Sequence, residues 1–425
     1  MKKNLLIILL VTLVVITIIA ILFLNSLPPA QPNQSNAEQL QAKLQELRAL
    51  YEQKEAESCD VSGVQALYQQ GLAAYNSGDY AEVNQLAEEA EGILTSLNCP
   101  PSAIVEHPAT GGDILMGINL QQFMDDIVAA KSLGVDVVAT TLRWSSVEPT
   151  DDNFTFDSLD EIVNEAESSG IALSFNVRAM SEWGTVSLPV LKGSYRSSSM
   201  PKDLAEWREF LTTVASRYKG RDVDISYEIE NEVNAEAFWN GSIDDYVSLL
   251  EESYATIKSA DPNAKVVASA LACGITKNVE GGSDAAITSF NSHLGKILDS
   301  GAFDVVSVHD YYFPDREVNG VTFQNYLDNI LGQMVVRGLD KEVWITETGY
   351  VSKPTKVGSR TDPGSLENQA DWLEQAYAYA DSVGVDRIFW LLLKDRDEPY
   401  FGSMGLLNDD GTRRPVADVF SGFTF

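Results

Sequence analysis

The chain has 425 residues, of which 44% are hydrophobic and 22% charged, the composition of an ordinary globular protein with room for one large domain and a smaller part. Its formal net charge of −32 at pH 7 argues against nucleic acid or an anionic membrane surface as a partner, because both bind clustered Lys and Arg. The three cysteines form no Cys-x-x-Cys motif, so we expect no structural zinc, and we predict neither a metal nor a cofactor.

The first predicted element is an apolar segment over residues 5–24, which follows Lys2 and Lys3. About 20 apolar residues span a bilayer core, whereas a cleaved signal peptide has an apolar core of roughly 7–15 residues. We therefore predict an uncleaved transmembrane signal anchor over residues 1–25. The positive-inside tendency puts the rest of this single-pass membrane protein outside the cell. The alternative is a cleaved signal and a secreted protein.

Two short regions follow the predicted anchor. Residues 26–38, rich in Pro, Asn, Gln and Ser, predict a stiff linker. Residues 39–100 contain two helical patterns of apolar side chains, which predict a helical hairpin stalk. Cys59 precedes the second pattern and Cys99 follows it, so a disulfide could join them in an oxidising compartment. This stalk is either a spacer or a partner-binding element.

Residues 111–425 alternate between apolar strands and amphipathic helices, which predicts a parallel sheet with helices outside it. Eight such units are typical of a (β/α)8 TIM barrel. The competing fold, an open doubly wound sheet, usually has a glycine-rich phosphate turn after its first strand, and residues 117–121 (GINLQ) do not form one. The predicted strands span residues 114–119, 135–143, 171–176, 223–231, 265–271, 303–309, 342–347 and 387–393.

Polar and aromatic side chains follow several of these strands. Glu232 follows the fourth strand and Glu347 ends the seventh. Because the carboxyl ends of the strands meet at one face of a TIM barrel, we predict that these two carboxylates face each other across one pocket. The other side chains predicted to lie in this pocket, as substrate-binding residues, are Arg143, Asn176, Asn231, Trp239, His309, Tyr311 and Trp390.

Two carboxylates in one pocket are the side chains that glycosidic-bond cleavage requires. One gives its proton to the leaving oxygen, and the other attacks the sugar carbon from about 5 Å away. Arg143 and Tyr311 are expected to stabilise an ionised Glu347, by charge and by a hydrogen bond. Asn231 is expected to bind a sugar hydroxyl, and Trp390 to form an apolar floor under the sugar ring.

The fourth strand raises a difficulty. Strict alternation would put Glu228, Glu230 and Glu232 on one face, where three ionised carboxylates would repel one another strongly. We therefore predict a β-bulge near Asn231 that changes the direction of this strand tip.

Several segments, taken in order, resemble the clan A glycoside hydrolases, which are retaining (β/α)8 enzymes and include families 5, 39 and 42. They are Arg143-Trp144 with Glu148-Pro149, Glu228-Ile229-Glu230-Asn231-Glu232-Val233-Asn234, His309-x-Tyr311, Trp344-Ile345-Thr346-Glu347-Thr348-Gly349, and Phe389-Trp390 with Gly405-Leu406-Leu407 and residues 410–415. The resemblance implies that Glu232 is the acid/base and Glu347 the nucleophile. It also implies a cis peptide bond after Trp390.

The sequence departs from the clan pattern at three places. Glu230 stands where the clan usually has Trp, and Val233 where it often has Pro. The tip of the third strand offers Asn176 and Arg178 where some families place a His. These departures bear on which family of the clan and which substrate the resemblance implies, and less on which reaction it implies.

The resemblance implies a retaining glycoside hydrolase that cleaves β-glycosidic bonds of an oligo- or polysaccharide. Two alternatives stay open at this point. A catalytically inactive barrel could bind carbohydrate at the cell surface, or a transglycosylase could pass the sugar to another hydroxyl group. Only the acceptor distinguishes a transglycosylase from a hydrolase.

Overall fold

The computed structural model describes residues 43, 47, 50, 64, 67, 80–96, 115–120, 123–187, 191–192, 195–272, 283–315, 321–357, 360–398 and 401–423. The chain divides into two compact units, residues 1–106 and 107–425. The predicted anchor and linker and the disulfide candidates Cys59 and Cys99 lie outside the described residues. Among the helices that are described, none combines the length and the apolar character needed to cross a bilayer.

In the first unit, helix α1 spans Tyr80–Ser96. Its buried face is apolar and repeats every three or four residues, and it consists of Val83, Ala87, Ala90 and Leu94. Lys43 reaches this helix through a 2.9 Å ion pair with Glu88. Helix α1 is thus amphipathic, and the helical hairpin stalk over residues 39–100 stays a prediction.

The second unit is a closed barrel of eight parallel strands in which each strand pairs with its sequence neighbours and the last pairs with the first. The strands are β1 (Leu115–Asn119), β2 (Val137–Arg143), β3 (Ala172–Arg178), β4 (Ile225–Ile229), β5 (Lys265–Ala268), β6 (Val305–Asp310), β7 (Glu342–Thr348) and β8 (Arg387–Trp390). The predicted (β/α)8 barrel is confirmed.

A helix of eight or more residues follows each strand, and after β2 a four-residue helical turn, Trp144–Val147, comes first. The longer helices are α2 (Phe123–Ser132), α3 (Asp157–Ser169), α4 (Leu204–Tyr218), α5 (Ile243–Ala260), α6 (Ser283–Ser300), α7 (Phe323–Val336), α8 (Leu366–Ser382) and α9 (Pro415–Gly422). Side-chain oxygens cap the first turns of four of them, from Asp203, Ser242, Thr322 and Ser365. These caps satisfy backbone N–H groups that have no partner inside the helix, and so fix where each helix begins.

The barrel interior is filled by a compact apolar cluster. Its members are Val137, Ala139, Val267, Val305, Trp344 and Phe389. Gly117 on β1 faces the ring of Phe389, and a Cβ there would lie 2.4 Å from a ring carbon. A residue without a side chain is therefore required at position 117. This packed floor leaves the carboxyl ends of the strands as the open end of the barrel.

The predicted bulge lies on a different strand from the one expected. The fourth strand pairs in regular register, whereas on β7 Ile345 lies opposite Val308 and Glu347 lies opposite His309. Thr346 is therefore the extra residue. Because a bulge turns consecutive side chains toward the same side, both Thr346 and Glu347 face the open end of the barrel. Near Asn231 the chain instead changes direction at two left-handed residues, Glu230 (φ 68°) and Glu232 (φ 43°).

Candidate active site

Glu232, His309 and Glu347 meet at the carboxyl end of the barrel, from the tips of β4, β6 and β7. His309 Nδ1 is 2.9 Å from Glu232 Oε1 and 3.6 Å from Glu347 Oε2. Carboxylate oxygens of the two glutamates lie within 4.8 Å of each other. Double displacement at a sugar carbon needs two carboxyl groups about 5–5.5 Å apart. The two glutamates are therefore close enough to act on the two sides of one bond in a bound substrate.

The two carboxylates differ in exposure. The side chain of Glu347 is 26% exposed and that of Glu232 12%, whereas His309 is 1% exposed. The Tyr311 hydroxyl donates a 2.9 Å hydrogen bond to Glu347 Oε2. Both carboxylates are thus accessible from the pocket. The His309 imidazole contacts both of them, and the Tyr311 hydroxyl contacts Glu347.

His309 is positively charged at neutral pH. Burial alone would lower its pKa, but the charges of Glu347, Glu232 and Glu228 and the hydrogen bond to Glu232 raise the pKa to about 9. Its Nε2 is buried without a hydrogen-bond partner among the described residues. The imidazolium therefore neutralises part of the negative charge that the carboxylates concentrate in the pocket.

The charge on His309 predicts a pH-dependent stability. Its folded pKa of about 9 exceeds the unfolded value of about 6.5, so its stabilisation is complete below pH 6.5 and is lost as the pH rises through 9. The loss is worth up to about 3 kcal/mol. We expect the unfolding free energy of the parent relative to His309→Gln to fall between pH 6 and pH 9.5, measured by urea unfolding.

His293→Gln is the matched control for this measurement. His293 lies on α6, and burial lowers its pKa, so its titration affects stability below pH 6.5 rather than above it. A parent and a His309→Gln variant with parallel pH profiles above pH 6.5 would contradict a charged His309.

The pKa of Glu347 is raised. Burial is the largest cause, the charge of Glu232 adds to it, and His309, Tyr311 and Arg396 oppose it. The carboxylate of Glu232 beside it makes ionisation of Glu347 harder, whereas the three opposing groups favour the ionised form.

Besides His309, the cation that acts on Glu347 is Arg396 rather than Arg143. The Arg143 side chain is exposed and makes no hydrogen bond or ion pair within the described part of the chain. Arg396 lies in the loop after β8, whose Phe401 packs on Tyr311 with ring centroids 5.0 Å apart. The loop is closed by a 2.8 Å hydrogen bond from Arg396 N to Gly402 O. The predicted role of Arg143 is therefore not supported by its contacts.

This difference predicts the response of two arginine variants. In Arg396→Gln, loss of a nearby cation raises the pKa of Glu347 further, and we expect the acidic limb of the kcat/KM profile to move up by roughly one pH unit or less. Arg143→Gln, the matched control, should leave that limb in place. If only Arg143→Gln moves the acidic limb, Arg143 rather than Arg396 is the arginine that stabilises ionised Glu347.

A third carboxyl group, Glu228, is buried beneath the pair. It accepts hydrogen bonds from Ser307 Oγ (2.9 Å), Thr346 Oγ1 (3.2 Å) and Asn176 Nδ2 (3.4 Å). Burial raises its pKa, and the charge of Glu347 adds to that effect. The raised pKa makes ionisation of Glu228 less favourable, which lessens the repulsion expected from three ionised carboxylates.

Glu230 avoids the same repulsion in another way. Its left-handed backbone turns the side chain away from the pocket, where it forms a buried ion pair with Arg178 (Nε to Oε2, 2.9 Å). Arg178 and Glu230 are two of the departures from the clan pattern, and the structure makes them partners. Neither position alone could have shown this.

The remaining predicted site residues fall into two groups. Asn231 makes no side-chain hydrogen bond with the described residues, so its amide is available to a ligand. Asn176 donates to Glu230 O (2.7 Å) and holds the tip of β4. Trp390 and Trp239, by contrast, lie in the core. Trp390 is fully buried against Trp372 on α8, and Trp239 is buried with its Nε1 donating to Ser242 O.

The structure thus corrects three predictions. Trp390 cannot form the floor of the pocket, because its neighbour Phe389 points into the barrel and Trp390 points outward toward the helices. Trp239 packs on Tyr246 at the start of α5 instead of facing a sugar. The peptide bond after Trp390 is trans, since the described residues contain no cis peptide bond.

Within the part of the chain that the structure describes, two groups of side chains have the donor types of a cation site. Glu148, Asp151 and Glu206 form one, and Glu232, His309 and Glu347 the other. A reaction without a metal stays a prediction.

Sequence reasoning missed three groups that act on the carboxylates. Arg396 lies in a loop without periodicity, and Ser307 and Thr346 look like ordinary strand residues. A signal for Thr346 existed, because its strand carries polar side chains at consecutive positions, as a bulge requires. No comparable signal marks Arg396.

Comparisons with known proteins agree with this geometry. The family model described as cellulase, glycosyl hydrolase family 5, matches residues 107–395. The chain is similar to the structure of a family 39 glycoside hydrolase from Bacteroides cellulosilyticus WH2, with 20% identity and a TM-score of 0.54 over 73% of this chain and 63% of that one. It therefore spans less than two thirds of that protein.

Two further structures are similar. A monomeric β-xylosidase from Caulobacter crescentus CB15 shows 17% identity and a TM-score of 0.53, over 73% of this chain and 67% of that one. Xylanase 10B from Thermotoga maritima shows 15% identity and a TM-score of 0.51, over 73% of this chain and 95% of that one. At these identities the likeness supports the barrel fold.

Proposed function

This chain belongs to the cellulase family, glycosyl hydrolase family 5, and on that premise we propose that it cleaves β-glycosidic bonds with retention of configuration. The observation that carries the proposal is the pair of carboxylates from β4 and β7, whose oxygens lie within 4.8 Å of each other. Glu232 is the acid/base and Glu347 the nucleophile in this proposal.

In the first step, the protonated carboxyl of Glu232 gives its proton to the glycosidic oxygen. A carboxylate oxygen of Glu347 bonds to the anomeric carbon as the bond to the leaving oxygen breaks, which gives a covalent glycosyl ester. Tyr311 holds the attacking group through its 2.9 Å hydrogen bond. In this proposal the Asn231 amide, which makes no side-chain hydrogen bond with the described residues, binds a sugar hydroxyl beside the reacting carbon.

In the second step, Glu232 acts as a base. Its carboxylate takes a proton from water, the water oxygen attacks the anomeric carbon from the face that the leaving group left, and Glu347 departs. The proton is then back on Glu232 and the configuration is retained. The imidazolium of His309, 2.9 Å from Glu232, stabilises that carboxylate while it is ionised.

The test is the configuration of the first sugar released. Because the similar structures include a β-xylosidase and xylanases, the screen begins with β-linked xylo-oligosaccharides and extends to β-linked gluco-oligosaccharides. Proton NMR during turnover should show the β-anomer first, with or without EDTA. An α-anomer first would overturn the retaining mechanism, and binding without turnover would favour a carbohydrate-binding protein.

We further propose that the barrel faces outward from the cell membrane, held by the apolar segment at residues 5–24. Cell fractionation should find the full chain with membranes and resistant to extraction by high salt. Protease added to intact cells should release the barrel. A barrel recovered in the culture medium without residues 1–25 would instead indicate a cleaved signal.

A further inference from the structure

Arg178 and Glu230 form a buried ion pair beside the pocket, and neither faces it. Arg178 ends β3, Glu230 follows β4, and both side chains are at least 93% buried. Replacing such a pair with apolar side chains of similar size is often neutral for stability, because removing two charges from water offsets their attraction. Folding stability alone therefore gives little reason for this pair.

The pair connects four segments of the chain. Glu230 accepts hydrogen bonds from Arg178 Nε, from the Ala179 N–H (2.6 Å) and from the Ser198 hydroxyl. Arg178 Nη2 donates to Phe238 O (2.8 Å) and to Ser198 Oγ (3.1 Å). The tips of β3 and β4, the segment around Ser198 and the turn around Phe238 are thereby held to one another.

That turn is the one that follows Glu232. The Glu232 carbonyl accepts from Ala235 N (2.7 Å), and the Ala235 carbonyl accepts from Phe238 N (2.9 Å). The Phe238 carbonyl then accepts from Arg178. A continuous run of hydrogen bonds thus leads from the backbone of Glu232 to the guanidinium.

The backbone of this tip is strained. Glu230 and Glu232 both have positive φ, 68° and 43°, and a non-glycine residue held in this region costs about 1–3 kcal/mol. Such residues persist only where their surroundings fix them. Glu230 is fixed on three sides, because its N–H donates to Val177 O (2.9 Å), its carbonyl accepts from Asn176 (2.7 Å) and its carboxylate binds Arg178.

We propose that Arg178 and Glu230 are positioning residues that hold the left-handed tip of β4, and with it the carboxyl group of Glu232, at the distance that proton transfer to the leaving group requires. This inference rests on the proposed function and deepens it.

The double variant Arg178→Met/Glu230→Leu tests the proposal. It removes both charges together and leaves no unpaired buried charge, so we expect it to fold. A phenyl glycoside needs a proton from Glu232 to lose its leaving group, whereas a 2,4-dinitrophenyl glycoside does not. General acid catalysis contributes about 10²–10⁴-fold, so kcat/KM should fall about 10- to 100-fold for the phenyl glycoside and by much less for the dinitrophenyl one.

The ion pair of Arg387 with Asp224 (2.8 Å), at the opposite end of the barrel, provides the control. Arg387→Met/Asp224→Leu should change both substrates equally. If the test variant does not fold, Arg178→Gln/Glu230→Gln, which also removes both charges but keeps two side chains that can hydrogen-bond, is measured on the same two substrates. Equal losses on both substrates, or no loss, would overturn the positioning role.

The two failures are distinguishable. An active parent enzyme whose variants lose both substrates equally contradicts only the positioning role. A parent that hydrolyses neither substrate after the full screen contradicts the proposed function, and the positioning role with it.

Discussion

Glu347→Gln is expected to lower kcat by about 10⁴-fold or more, because it replaces the carboxylate nucleophile with a neutral amide whose oxygen is too weak a nucleophile to attack the anomeric carbon. The substitution keeps the size of the side chain and the position to which Tyr311 donates its hydrogen bond. Binding should therefore persist while the covalent step fails. A 2-deoxy-2-fluoro glycoside with a dinitrophenolate leaving group should accumulate on the parent enzyme, and mass spectrometry of peptides should locate the adduct on Glu347.

Glu342→Gln is the control for that variant. Glu342 begins the same strand, at the opposite end of the barrel, and forms an ion pair with Lys265 there. The Glu342→Gln variant should retain turnover and still form the adduct on Glu347. A Glu347→Gln variant that hydrolyses near the parent rate, or an adduct on another residue, would contradict the assignment of the nucleophile.

The barrel could be predicted from the sequence because its strands and helices differ in hydrophobic period, and period is a local property. The limits of that signal show at β8, which was predicted to reach residue 393. The strand ends at Trp390, and residues 392–394 leave the barrel to pair with Gly405–Leu407. An apolar run alone does not reveal which partner a strand pairs with.

The site was predictable where its groups stand at strand tips. Glu232, His309, Tyr311 and Glu347 are brought together because the barrel itself converges there. Arg396 could not be foreseen, since its position depends on the path of a loop.

The ion pair of Arg178 with Glu230 shows a second limit of the sequence. Each residue alone looks like a deviation from the clan pattern, and only the three-dimensional pairing of β3 with β4 turns the two deviations into one feature. Sequence spacing of more than fifty positions carries no signal for such a pair. Two residues at the tips of adjacent strands can therefore be recognised as partners only when it is known which strands pair with each other.

Glu232→Ala is expected to separate the two steps of the reaction. Loss of the acid should reduce kcat/KM by about 10²–10⁴-fold for phenyl glycosides and much less for dinitrophenyl glycosides. Loss of the base should let the glycosyl ester accumulate, because water alone attacks it slowly.

Azide needs no base, so it should restore turnover of Glu232→Ala and yield a β-glycosyl azide. In Glu347→Ala, azide would attack the substrate itself and yield the α-product. Glu228→Gln is the control, because that carboxyl group is buried beneath the pair, where Ser307, Thr346 and Asn176 donate hydrogen bonds to it. The anomer formed reports which carboxylate is missing. An α-glycosyl azide from Glu232→Ala would therefore make Glu232 the nucleophile and Glu347 the acid/base.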